Sequence, residues 1–543
     1  MRKVCVAVGA LLAACSPSIA PAKPLRADAP KLVVAISVDQ LSADLWDEYR
    51  PRFRGGLARV ARGTAYRNGY HSHAATETCP GHSTLLTARR PVSNGIVANV
   101  WIDQSVSRAD KSIYCAEDER VPGSTSTSYT VSPLHLNAPT LGDLLKAKSP
   151  ASRNVAVAGK DRAAVMMSGR SADQRWYWDG KSFATDLKAA PVPRSVLSFN
   201  TALASAIATA RPPLDPPPLC KAKARAYQLS PAIKVGDNRL GRAGGDVRQF
   251  RISPELDGAT LALSAALVQE MRLGKGPATD ILSIGLAATD YVGHAYGSDG
   301  MEMCLQLHSL DRELGDFFAL LDRNGIDYAV VLTADHGGMD IPERLREKGV
   351  KAAARADSSL AAGEVGKLLA PRFGRTESVL KGIGIAGDIW VDAGVPAAQK
   401  PVVVKAAIDR YRAHPQVFAA YSRAEILAVP VASGSPDKWS IIQRIRASFD
   451  GKRSGDLYVV LKEHVSPIPV ASAGYAATHG SPWDYDRRVP IAFWRKGMAP
   501  AASDRTVETV DIMPTLAAMI GLGLAPGSVD GKCLSVAGVS CAR

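Results

Sequence analysis

The chain has 543 residues, of which 46% are hydrophobic and 22% charged, with 46 glycines and 35 prolines. This composition excludes a disordered or fibrous protein and allows one large domain or two to three average ones. After the N-terminus no apolar run reaches the ~18 residues of a membrane span. The net charge of +14 comes from scattered residues without a Lys/Arg run, so no nucleic-acid partner is expected, and the basic balance favours anionic substrates by long-range attraction.

The first residues read as an export signal. Met1-Arg2-Lys3 is basic, and Val4 to Ala14 is apolar but too short to span a bilayer. Leu12-Ala13-Ala14-Cys15 resembles a bacterial lipobox, which would anchor the protein through a lipid on Cys15; simple cleavage after Ala22 is the alternative. The reading is therefore a signal peptide over 1–22, a Pro/Ala-rich linker over 23–30 and a folded domain over 31–540, in the periplasm or cell envelope. Eight cysteines are present, and six fall after the signal: Cys79, Cys115, Cys220, Cys304, Cys533 and Cys541. An even number in an exported chain predicts three disulfides. Proximity favours Cys533–Cys541 and Cys79–Cys115, and the lack of a CxxC pair argues against a structural cysteine–zinc site.

From residue 31 the run KLVVAISV reads as a buried parallel strand. Similar runs lie at 155–158, 281–286, 328–333, 457–461 and 491–494, with helical patterns at 56–62, 261–273, 301–321 and 510–520. Strands alternating with helices predict an α/β domain around a mostly parallel sheet. Two stretches, 176–248 and 341–471, read as insertions; the first has few strand signals and the second has short strands of its own, such as 388–391.

Three aspartates recur in one kind of place. Asp39 follows the first strand, Asp290 follows ILSIGL and Asp335 follows YAVVLTA. The carboxyl ends of parallel strands form the ligand crevice of an open sheet. Three carboxylates brought to one edge repel each other unless cations hold them. Histidines accompany them: Asp290 and His294 are four residues apart, Asp335 and His336 are adjacent, and His479 stands in ATHGSP. Mixed His/Asp ligation suits catalytic zinc. Single signals of this type are weak, since a lone Asp after a strand is commonly a cap; the joint arrangement carries the reading. Most of the other histidines, among them His71, His73, His82, His135, His308, His414 and His464, read as core or surface residues.

The segment ATETCPGHSTLLTARR, residues 75–90, breaks at Pro80 and Gly81 before a helix. Thr78 or Cys79 could simply cap that helix. The same geometry offers free N–H groups and a positive dipole end to a phosphate, and a nearby zinc ion would activate a threonine hydroxyl.

ETCPGHSTLLTARRPVSNGIVAN resembles the nucleophile segment of the alkaline phosphatase superfamily, in its nucleotide pyrophosphatase/phosphodiesterase-like branch. The matching positions are Thr78, Pro80, His82, Thr87, Gly95, Ile96 and Asn99; Ala88 departs from a usual glycine, and Asn94-Gly95 replaces the usual His-Gly. TDYVGHAYG, TADHGGMD, ATHGSP and the C-terminal TVDIMPTLAAMIG match in order, so the resemblance covers roughly 31–525. It implies an alkaline-phosphatase-like α/β/α sandwich and two zinc ions per subunit. One would be held by Asp39, Thr78, Asp335 and His336, the other by Asp290, His294 and His479. Thr78 would be the nucleophile, transiently phosphorylated, and Asn99 would donate to a phosphoryl oxygen.

Lys160 and Arg162 follow the 155–158 strand and so face the same edge. A monoester carries two charges on its non-bridging oxygens and a diester one, and an Arg–Lys pair suits the former. This GKDR placement resembles the PafA-like periplasmic alkaline phosphatases with a threonine nucleophile. The expected activity is thus hydrolysis of small phosphate monoesters with broad specificity. The alternatives are a zinc phosphodiesterase or nucleotide pyrophosphatase sharing every ligand and, from a different class, a non-catalytic zinc-stabilised envelope protein. A sulfatase would need Cys-x-Pro-x-Arg where this chain has Cys79-Pro80-Gly81-His82-Ser83.

Overall fold

The computed structural model describes residues 26–541, so the signal, the lipobox and Cys15 lie outside the described residues. In chain order the central elements are β1 (Leu32–Val38), β2 (Thr64–Tyr70), α1 (Thr78–Thr87), β3 (Asn154–Ala158), α2 (Asp161–Ser168), β4 (Gln174–Trp178) and β5 (Phe183–Ala184). There follow α3 (Pro254–Glu270), β6 (Asp280–Leu286), α4 (Ala288–Tyr296), α5 (Met301–Arg323) and β7 (Tyr328–Thr333). An inserted region carries β8 (Leu380–Gly382), β9 (Gly387–Val391), β10 (Val417–Ser422) and β11 (Leu457–Leu461). The chain then returns through β12 (Arg488–Arg495), β13 (Ala501–Ser503), β14 (Val507–Glu508) and α6 (Ile512–Ile520).

The ten-stranded central sheet has the order β13-β2-β12-β7-β1-β6-β3-β4-β5, with β14 also paired to β2. Its middle is parallel: β1 pairs with both β6 and β7, β6 with β3, and β3 with β4. β1 is buried along its whole length, and its two faces feed different cores. Leu32, Val34, Ile36 and Val38 pack with residues of α3 and α5, while Val33 and Ala35 pack with residues of α1 and α6. Burial on both faces explains why this strand reads as an unbroken apolar run. The result is the α/β/α sandwich that the sequence implied.

Three local readings change. The 457–461 run is not in the central sheet: β11 is antiparallel to β9 and β10 in a separate four-stranded sheet. Its apolar run reflects two buried faces, one inside the insertion and one against Ala74, Ile445 and Phe449. The 491–494 run belongs to β12, which is in the central sheet but antiparallel to both neighbours. Trp176, read as the start of an insertion, lies inside β4, where Arg175 is buried and paired to Asp186 at 2.5 Å. A buried cation in the strand masks its apolar pattern.

The six cysteines form three disulfides, Cys79–Cys115, Cys220–Cys304 and Cys533–Cys541.

Candidate active site

Four neighbouring parallel strands, in the order β7-β1-β6-β3, deliver polar side chains at one edge. Asp39 follows β1, and its N–H donates to Leu286 O at the end of β6 (2.9 Å). The next residue, Gln40, is buried with φ +66°. This strained conformation is held in place by its N–H, which donates to Asp335 Oδ1 at 3.1 Å just beyond β7. Beyond β6, Asp290 and His294 stand one turn apart on α4, with His294 Nε2 3.3 Å from Asp290 Oδ1. Beyond β3 come Lys160 and Arg162 at the start of α2.

Thr78 is the first residue of α1 rather than its cap; Glu77 occupies the cap position and makes no capping hydrogen bond with its side chain. The helix approaches the sheet closely because residue 81 is glycine, and a Cβ there would collide with the Asp335 carbonyl. Lys160 Nζ lies 3.5 Å and Arg162 Nη2 3.3 Å from Thr78 Oγ1. Two cations thus converge on one hydroxyl at a helix N-terminus, an arrangement that favours anions. Lys160 also bridges the carboxylates, at 2.8 Å from Asp39 Oδ2 and 2.5 Å from Asp290 Oδ2. Burial opposes its charge, but Asp290 and Asp39 hold its pKa above the ordinary lysine value. Asn99 accepts the Cys79 N–H at Oδ1 (2.8 Å), so its amide N–H groups remain for an acceptor oxygen. Its own N–H donates to Glu77 Oε2 at 2.6 Å.

The histidines share one pattern. Nδ1 of His294, His336 and His479 lies 2.8, 2.8 and 2.7 Å from the carbonyls of Ala477, Gly337 and Thr76. A proton on Nδ1 satisfies those carbonyls and turns the Nε2 lone pair inward, which fixes each ring for binding a metal. Those Nε2 atoms meet carboxylates: His479 is 3.4 Å from Asp290 Oδ1 and His336 is 3.1 Å from Asp335 Oδ2. Burial pushes the His294 imidazole down to about 4, toward the neutral ligand form, against the pull of Asp290. Asp39 Oδ1, Asp290 Oδ1, Asp335 Oδ2 and His336 Nε2 are buried and make no hydrogen bond. Leaving such atoms unpaired costs several kcal/mol, roughly 1–3 each and more for charged groups. The donor set therefore fits cations.

Among the described residues, two groups can hold a metal: Asp290, His336 and His479, and Asp39, His82 and Asp335. His336 thus lies within reach of the Asp290 group as well as Asp335, its ring stacked 3.5 Å from that of His479. His82 is the residue that sequence reasoning passed over. One turn after Thr78 on α1, its Nδ1 is 2.9 Å from Thr78 O and its Nε2 3.3 Å from Asp39 Oδ1. The i, i+4 spacing to Thr78 was the available signal.

An α/β/α sandwich with His/Asp groups at the carboxyl edge of its parallel strands defines an alkaline-phosphatase-like protein. The profile of the type I phosphodiesterase / nucleotide pyrophosphatase family matches residues 33–482, and the chain belongs to that family. It is 51% identical over 519 residues to alkaline phosphatase PhoK of Sphingomonas sp, covering 95% of this chain and 92% of that one. It is 43% identical to alkaline phosphatase PhoD of Zymomonas mobilis, covering 93% of this chain and 88% of that one. The crystal structure of wild-type alkaline phosphatase PafA superposes with a TM-score of 0.78 at 25% identity, covering 93% of this chain and 99% of that chain.

Proposed function

We propose that the protein is an exported, zinc-dependent alkaline phosphatase that hydrolyses small phosphate monoesters through a phosphothreonine at Thr78. The observation that carries this reading is the convergence of Lys160 and Arg162 on Thr78 Oγ1. Two cations match the two charges of a monoester. The names of the relatives at 51% and 43% identity support the same reaction.

Asp39, Thr78, Asp335 and His336 would hold one zinc ion, and Asp290, His294 and His479 the other. Bound there, zinc supplies Lewis-acid charge that lowers the pKa of a nearby hydroxyl or water and offsets negative charge. The remaining work falls to the chain. Thr78 Oγ1 loses its proton to solvent and forms the O–P bond as the ester O–P bond breaks; the departing oxygen takes a proton from water. Arg162 and the Asn99 amide hold the equatorial oxygens, and Lys160 adds charge between them and the aspartates. A water oxygen then forms a new bond to phosphorus, the Thr78 O–P bond breaks, and Thr78 regains a proton as inorganic phosphate leaves. Export rests on residues 1–22, and the three disulfides support an oxidising compartment.

The deciding experiment compares kcat/KM of zinc-loaded protein on an aryl phosphate monoester and on the matching diester. Monoester preference is expected, and Arg162→Ala should lose about 10²–10³-fold on the monoester and far less on the diester. A diester preference, or equal losses, would move the protein to the phosphodiesterase reading and leave Arg162 a structural role.

A further inference from the structure

The cavity lined by Glu77 and Arg162, neighbours of Thr78, extends well beyond the space a phosphate needs. It measures about 380 Å³, within the range of sites for small organic ligands. Its polar lining includes Asn99, Arg162, His294 and His479. Its lining also includes Tyr475 and, from the inserted region, Ile383, Trp390 and Pro467.

Two of these wall residues are large and apolar yet open to solvent: Tyr475 is 45% exposed and Ile383 54%. Exposed apolar side chains collected in a concave wall mark a ligand surface more often than scattered ones do. The Tyr475 ring is also oriented. Its hydroxyl is hydrogen-bonded to Thr478 Oγ1 at 3.2 Å, and its ring centroid lies 5.2 Å from that of His294 at an interplanar angle of 32°. The ring therefore borders the Asp290–His294–His479 group, and an in-line displacement by Thr78 sends the departing oxygen away from Thr78.

We propose that Tyr475 and Ile383 form a leaving-group subsite that selects phosphate monoesters of flat aromatic alcohols over those of small alkyl alcohols. The inference rests on the monoesterase reading above and adds its substrate class. Aromatic pairing contributes beyond the area it buries, and the fixed hydroxyl limits the ordering cost of the Tyr475 ring.

The test measures kcat/KM of zinc-loaded wild type, Tyr475→Ala, Tyr475→Phe and Ile383→Ala on 1-naphthyl phosphate and on methyl phosphate. Comparing each substrate with itself across variants cancels the intrinsic reactivity of the esters. The naphthyl-to-methyl ratio should fall about tenfold in Tyr475→Ala and about threefold in Ile383→Ala, and should stay near the wild-type value in Tyr475→Phe. An unchanged ratio in both alanine variants, including an equal loss on the two esters, overturns the subsite while leaving the monoesterase reading intact. A wild-type protein that turns over neither ester overturns the proposed function first, and this inference with it.

Discussion

The carboxyl edge of the central sheet and the inserted four-stranded sheet border the same cavity, and they are built by opposite means. At the edge, charged side chains are buried: Asp39, Asp290, Asp335 and Lys160 are each at most 2% exposed. Their positions are fixed by the register of β7, β1, β6 and β3 and by backbone hydrogen bonds such as Gln40 N–H to Asp335. The insertion faces the cavity with apolar and aromatic groups, and its own core holds residues such as Leu380, Val391 and Leu457. The edge therefore concentrates chemistry at a cost in stability, and the insertion shapes what reaches it. Changes at the first should alter turnover with little effect on folding, and changes at the second should alter stability and leaving-group selectivity more than the chemical step.

The sharpest way to break this division is Thr78→Ala. Turnover should fall by at least about 10³-fold, while metal content and Tm, followed by metal analysis and calorimetry, stay near wild type. Loss of the metal together with activity would mean that Thr78 is needed to build the site.

A smaller effect is expected from Asp388 on β9. Burial raises its carboxyl to about 7, with Glu77 adding to the shift and the Gly455 N–H (2.7 Å) and Arg423 opposing it. A carboxyl whose folded pKa lies above its unfolded one favours the folded state most when protonated. Its stability contribution is full below the ordinary carboxylate value and is lost as pH rises through about 7. Denaturant unfolding should therefore show a fall on the order of 1 kcal/mol between pH 5 and pH 8. Asp388→Asn keeps an acceptor for Gly455 and should flatten that slope. A slope unchanged in the variant would assign it elsewhere.

The smallest effect belongs to the far end of the nucleophile helix. Ala88 caps α1 with φ +53°, a left-handed conformation that disfavours any side chain, and it is fully buried. Ala88→Gly should stabilise the protein by roughly 0.5–1 kcal/mol in denaturant melts without altering kcat/KM. A loss of stability would show that packing of the Ala88 methyl outweighs the backbone strain.

The same two regions account for what the sequence made legible. β1, β3, β6 and β7 were readable because parallel strands buried on both faces become short β-branched runs bounded by polar residues. Asp39, Asp290 and Asp335 followed from their positions at the ends of those runs. The 457–461 run has the same appearance because β11 is also buried on both faces, and composition does not encode a strand's direction or its sheet. β4 was hidden by Arg175, whose charge is compensated by Asp186, a partner visible only in three dimensions. His82 was passed over because its value lies in facing Asp39 and Asp335, both distant in sequence. The wall built by Ile383 and Tyr475 left no trace, since neither residue is unusual until the fold brings them to one cavity.

The order of the elements has a consequence for synthesis and quality control. Asp39 follows the first strand, while His479 is supplied only after the insertion has been made. No growing or truncated chain that ends before His479 carries the complete donor set, so such partial products cannot assemble the centre. Metal capture would then report that translation and folding have both finished, and a nick or deletion anywhere between the first strand and the last ligand should register as lost metal before it registers as lost helix.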